Sequence, residues 1–227
     1  MDRMLKIKDT RLVSRREFSG LGVSLSSLVT LSGISVFDAA TAAVSTGTAP
    51  TVKFRDGTIV PALGQGSGGL AGGRHPQAVE EEALRTGLAL GMTLIDTAES
   101  YGNGRSEELI GRAIASQRDR AFLVSKVETN HVARDGIVRA CEGSLARLGT
   151  DHLDLYLLHW PVPNTEFSRV VAGFESLRAA GKIRSWGVSN FSVRQMEDLF
   201  RIQQGDRCAT NQVPYICDNC GVHRFRA

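Results

Sequence analysis

The sequence predicts an α/β fold built on a parallel sheet, and three observations point to it. Six short apolar runs start 24 to 32 residues apart, the length of one strand–helix repeat. The intervals between them carry apolar residues at helical spacing. Polar groups that a buried strand would avoid collect at the ends of the runs. The chain has 227 residues, 42% hydrophobic, 22% charged and 6% aromatic, which excludes collagen, coiled-coil and disordered classes.

In chain order, the first segment is an address. Residues 1–16 hold six bases against two acids, a surplus larger than the +3 of the whole chain. The remainder is therefore net negative by one and gives no electrostatic reason to bind DNA or RNA. Arg15 and Arg16 close the basic stretch, Leu21 to Phe37 carries no charge, and small residues follow from Ala39 to Ala43. Basic region, apolar region and small-residue exit describe a bacterial export signal, and the adjacent arginines indicate the twin-arginine route. Residues 1–42 are expected to deliver the body, residues 43–227, to the periplasm through the twin-arginine machinery. The alternative is an uncleaved membrane anchor, but 17 uncharged residues diluted by five serines and a threonine are short for a span. No stable membrane span is expected after processing. Four cysteines do not make a disulfide framework.

The body opens with Thr51–Arg55 and Thr58–Pro61 on either side of Asp56-Gly57, the signature of a β-hairpin with a two-residue turn. The six runs follow at Ala62–Gly66, Met92–Asp96, Ala121–Lys126, Leu153–His159, Ser185–Ser189 and Ala209–Val213. Helical faces are predicted at Val79, Ala83, Gly87 and Leu90, at Val138, Cys141, Leu145 and Leu148, and at Val170, Phe174 and Leu177. Ser192 with Gln195 forms a capping box ahead of Met196, Leu199 and Phe200. Alternating strands and helices imply a sheet covered on both faces. Periodicity leaves an open doubly wound sheet and a closed eight-fold barrel in competition.

The polar residues separate these readings. Runs end in Asp96, Lys126, His159 and Ser189-Asn190, and the sixth carries Asn211-Gln212; the carboxyl ends of parallel strands share one rim. Tyr101 follows Asp96 in a glycine-flanked loop and can turn over that rim. Ser106-Glu107-Glu108 then opens a helix, with acids at its positive end. Singly, each has a bland reading as a cap, a turn residue or a satisfied core group. Together they place an aspartate, a lysine, a tyrosine and a histidine at one mouth, where unpaired charge is costly. A phenol, with an ordinary pKa of about 10, is a poor acid near neutrality unless a cation stabilises its anion. Lys126 can be that cation, Asp96 can hold Lys126, and His159 can polarise a carbonyl by hydrogen bonding. Such a site suits carbonyl reduction with hydride from a cofactor.

These residues sit in longer words: Leu94 to Gly102, Gly104 to Glu108, Asp154 to Pro161, Gly181 to Phe191 and Asn211 to Val213. In order and spacing from about Val52 to Tyr215, they resemble the aldo-keto reductases. The resemblance implies a (β/α)8 TIM barrel and a reductase that moves hydride from NADPH to an aldehyde or ketone. It also implies a catalytic tetrad of Asp96, Tyr101, Lys126 and His159, and cofactor contacts at Gly66, Ser67, Asp96, Ser189, Asn190 and Gln212. Amides and hydroxyls are the groups needed to orient a carboxamide. Tyr101, His159 and Trp160 would line the substrate pocket, with Gly68 where the family often places an aromatic wall. About six of eight strand–helix units are readable. The family's seventh-strand aromatic and 2′-phosphate loops have no counterpart, so the chain is expected to be a truncated product, with NADP(H) implied and NAD(H) as the alternative. Other readings are a non-catalytic nucleotide-binding redox sensor and an inactive gene fragment. Cys217, Cys220 and His223 offer three metal-ligand types without a fourth, and no metal site is expected.

Overall fold

The computed structural model describes residues 50–132, 136–161 and 167–214, together with the backbone of two short strands at 217–218 and 221–222. The proposed leader and the side chains of Cys217, Cys220 and His223 lie outside the described residues. The predicted hairpin is present: β1 (Thr51–Lys53) pairs antiparallel with β2 (Ile59–Pro61). Its turn is one residue longer than expected. Gly57 donates its N–H to the Phe54 carbonyl at 3.0 Å, and Phe54 donates to the Thr58 carbonyl at 2.8 Å, so Arg55, Asp56 and Gly57 form the loop. Gly57 sits at φ 93°, the left-handed position that a three-residue loop places last.

Each predicted apolar run contributes a strand: β3 (Gly64–Gly66), β4 (Leu94–Asp96), β5 (Phe122–Val127), β6 (Leu153–Leu158), β7 (Ile183–Ser189) and β8 (Asn211–Gln212). They form one six-stranded sheet in the order β3-β4-β5-β6-β7-β8, and every neighbouring pair is parallel. This is an arc of a barrel with β3 and β8 at its edges. The crossovers carry α1 (Gln77–Ala89), α2 (Arg105–Ile114), α3 (Gly136–Leu148), α4 (Phe167–Ala179) and α5 (Val193–Phe200). A further antiparallel pair, β9 (Cys217–Asp218) and β10 (Gly221–Val222), follows the sheet.

Strand alternation divides the core into two layers. Leu123, Val127, Tyr156, Leu158, Trp186 and Val188 face the helices. Val124, Leu155 and Leu157 face the concave side with Ala209, joined by Phe54, Leu94 and Phe122. The hairpin closes the lower end of this inner layer, where Phe54 meets Phe122 edge-on at 6.4 Å. On the helix side, the Trp186 indole stacks on Phe174 of α4 at 5.3 Å, Tyr156 meets Phe174 edge-on, and the indole N–H donates to Glu175 at 2.8 Å. The predicted faces of α3 and α4 turn to the core, with Val138 only partly buried. The capping box of α5 is formed in full.

One helix expectation is corrected. Helix α1 buries Glu80, Leu84, Gly87 and Leu88, leaving Val79 57% and Leu90 77% exposed. The rotation follows from a polar anchor: the Glu80 carboxylate turns inward and accepts the Ala71 N–H at 2.9 Å. On α2, Glu107 and Glu108 lie in the first turn as expected, and Glu107 is fully buried there. Its carboxylate accepts from Ser125 Oγ and from Arg147 Nε, both at 2.6 Å, joining the helix to β5 and α3.

Truncating Phe174 to alanine removes the ring between Trp186 and Tyr156. It should destabilise the chain by about 3–5 kcal/mol, whereas Val193→Ala on the exposed face of α5 should stay within about 0.5 kcal/mol. Urea titration of both variants checks the contrast; equal midpoints would refute the assigned core. Burial pushes the Cys141 thiol up to about 12 and the Cys208 thiol up to about 11. Both should therefore resist alkylation at mildly alkaline pH until denaturant opens the fold. Mass-spectrometric mapping of labelled cysteines tests this, and free-thiol labelling of Cys141 in the folded chain would contradict it.

Candidate active site

The site begins with strand parity. On β5, Phe122, Val124 and Lys126 point to the concave face; on β6 the same alternation carries Leu155 and Leu157 onward to His159. Ser185, Gly187 and Ser189 share that face on β7, opposite the outward Trp186 and Val188. Space there is tight: a Cβ on Gly187 would lie 2.5 Å from the Thr210 carbonyl oxygen. In register, Gly66 lies beside Asp96 and Asp96 beside Val124, while Ser189 lies beside Gln212. The predicted polar residues thus converge on one rim.

Lys126 is the centre of that convergence. Its side chain is only 2% exposed, and its ammonium meets both Asp96 carboxylate oxygens at 2.7 Å. It also donates to the Thr97 carbonyl at 2.9 Å and reaches the Tyr101 hydroxyl at 3.5 Å. Buried charge of this kind is sustained by an opposite charge and filled hydrogen-bonding positions. Tyr101 is presented by a short 3-10 turn over Tyr101–Gly104, and its ring lies edge-on to His159 at 5.7 Å. A Cβ on Gly68 would lie 3.7 Å from that ring, so the loop after β3 closes over the tyrosine with only backbone. Trp160 stacks on His159 at 5.9 Å and is 51% exposed, a large apolar face beside the rim.

The remaining predicted residues line the β3 and β7–β8 portions of the rim. Ser67 donates its backbone N–H to the Asp96 carbonyl at 3.0 Å. Its hydroxyl oxygen is buried and has no partner, an orphan that a bound ligand would satisfy. Asn190 occupies φ 62°, an unusual conformation for a residue with a side chain. Its amide nitrogen donates to the His159 carbonyl at 3.1 Å and to Ser189 Oγ at 3.0 Å. Ser189 Oγ donates to the Gln212 carbonyl at 2.8 Å, and Gln212 Nε2 donates to Asp96 at 3.2 Å. Asn190 and Gln212 keep their amide oxygens free of described partners. Hydroxyl and amide groups with open positions fit a polar ring substituent such as a carboxamide.

Sequence reasoning missed two acids. Glu128 accepts from or shares a proton with His159 Nδ1 at 2.6 Å, and Glu99 accepts the Glu128 backbone N–H at 2.6 Å. The signal for Glu128 was the spacing from Lys126, two residues on, which places both on one face of an extended chain. Among the described residues, no cluster of three or more His, Cys, Asp or Glu side chains could hold a metal.

The chain is similar to known proteins. A sequence model of the Aldo/keto reductase family matches residues 62–217. A curated relative, "Methylglyoxal reductase YeaE" of Escherichia coli, is 44% identical over 171 residues, covering 75% of this chain and 60% of its own length. "Aldo-keto reductase YhdN" of Bacillus subtilis is 42% identical over 144 residues, covering 59% of this chain and 43% of its own. The chain thus spans between two fifths and two thirds of these relatives. The crystal structure of an aldo/keto reductase from Klebsiella pneumoniae with NADP and acetate is 47% identical, with a TM-score of 0.68 over 74% of this chain and 59% of that one. A thermostable aldo-keto reductase, Tm1743, in complex with the inhibitor epalrestat, is 40% identical with a TM-score of 0.68, covering 73% and 62%. With the strand-end words, the parallel arc and the family match all falling on the same residues, the chain belongs to the aldo/keto reductase family.

Proposed function

We propose that the site reduces a small aldehyde or ketone with hydride from NADPH, Tyr101 acting as the general acid. The observation that carries this reading is the position of Lys126, an ammonium bound to Asp96 and within reach of the Tyr101 hydroxyl. As Tyr101 gives its proton to the substrate oxygen, the adjacent ammonium stabilises the phenolate left behind. Asp96 and the Thr97 carbonyl hold the ammonium in place. His159 hydrogen-bonds the same substrate oxygen, and Trp160 supplies an apolar wall for the substrate body.

NADPH, present in the crystal structure of a Klebsiella pneumoniae relative, supplies the hydride when bound. Asn190, Gln212 and Ser189 would orient its carboxamide, and Gly66 and Ser67 would meet it at the end of β3. The orphan Ser67 hydroxyl supports that assignment. Methylglyoxal, after which the Escherichia coli relative is named, is the first substrate to test. Residues 1–42 are proposed to direct twin-arginine export, on the strength of Arg15-Arg16 and the uncharged stretch behind them.

Replacing Tyr101 by phenylalanine removes the acid and keeps the ring. The expected loss is roughly 10²–10⁴-fold in kcat for methylglyoxal reduction, with dichroism unchanged. Full turnover in the variant would eliminate Tyr101 as the acid. Cofactor binding without turnover in the unaltered chain would instead support a nucleotide-binding role.

A further inference from the structure

We propose that Glu128 is a positioning residue that fixes the proton of the neutral His159 ring on Nδ1. Nε2 then meets a substrate oxygen as a donor only when the ring carries a second proton. The inference deepens the reductase reading and rests on it for its catalytic consequence, although the ring geometry stands independently.

An ionised carboxylate only accepts hydrogen bonds. The 2.6 Å contact between Glu128 Oε1 and His159 Nδ1 therefore claims the ring's Nδ1–H. Glu128 is held in place from the neighbouring strand end: its backbone N–H donates to Glu99 Oε1 at 2.6 Å, and that oxygen also meets His131 Nδ1 at 2.9 Å. The other groups around His159 leave Nε2 open. Tyr101 lies edge-on, Trp160 stacks on the ring, and Asn190 meets His159 at its backbone carbonyl and not at the ring. Lys126 directs its ammonium to Asp96, Thr97 and Tyr101. No described residue hydrogen-bonds Nε2.

The consequence is directional. With Nδ1–H committed to Glu128, the neutral ring offers a lone pair at Nε2, which suits an alcohol hydroxyl. The doubly protonated ring offers an N–H there, which suits a carbonyl oxygen. Glu128 thereby couples the choice between carbonyl reduction and alcohol oxidation to the protonation of one ring.

The test is ¹⁵N NMR of histidine-labelled chain at a pH where the rings are neutral. The chain has five histidines, and His159→Asn assigns the signal. The expected result is an Nδ1–H ring in the unaltered chain and in Glu128→Gln, whose amide oxygen can still accept. In Glu128→Ala the two ring nitrogen shifts should exchange as the ring adopts the Nε2–H form. An Nε2–H ring in the unaltered chain, or an Nδ1–H ring retained in Glu128→Ala, would overturn the proposal. In turnover, the kcat for carbonyl reduction should fall at alkaline pH in the unaltered chain and in Glu128→Gln. In Glu128→Ala that fall should flatten; an identical alkaline fall would sever the link to catalysis. Absence of turnover in the unaltered chain counts against the reductase reading and leaves the NMR comparison intact.

Discussion

A buried ammonium constrains the rest of the rim. Lys126 sits on an inward-facing position of β5, where desolvation would cost several kcal/mol without an opposing charge. Asp96 supplies that charge from the adjacent strand with both oxygens. The pairing requires β4 and β5 to be in the register observed, Asp96 beside Val124. A one-residue slip would turn the carboxylate to the helix side and strand the lysine. The same contact holds the ammonium within 3.5 Å of the Tyr101 hydroxyl, so one ion pair links strand register to the proposed chemistry.

Neighbouring polar groups reinforce this arrangement by using up each other's hydrogen-bonding capacity. Gln212 bonds Asp96, Ser189 bonds the Gln212 carbonyl, and Asn190 bonds Ser189 and the His159 carbonyl. The rim is therefore connected from β4 to β8 by side chains as well as by the strand ladder. Ser67 stands outside the chain of bonds with a buried free hydroxyl, and the amide oxygens of Asn190 and Gln212 remain available. These open positions are hydrogen-bonding capacity that the protein itself leaves unused.

Much of this was legible in the sequence because strands obey a two-residue alternation. Leu155, Leu157 and His159 differ by two, as do Phe122, Val124 and Lys126, so a polar residue closing such a series declares its face. Helix α1 was less legible. Apolar spacing favoured Val79 and Leu90, but the Glu80 carboxylate, bound to a loop N–H, decides which side turns inward. Glu107 escaped for a similar reason: its partners Ser125 and Arg147 are 18 and 40 residues away. Buried acids with distant partners have no local signature. Glu128 is the intermediate case, since its face followed from Lys126 while its contact with His159 depended on how two loops meet.

A double-mutant cycle tests the central claim most directly, comparing Lys126→Met, Tyr101→Phe and the combined variant by kcat/KM for carbonyl reduction. If the ammonium acts through the phenol, the combined variant should be no slower than the slower single variant. Losses that multiply would mean that the two side chains contribute independently, contradicting the account.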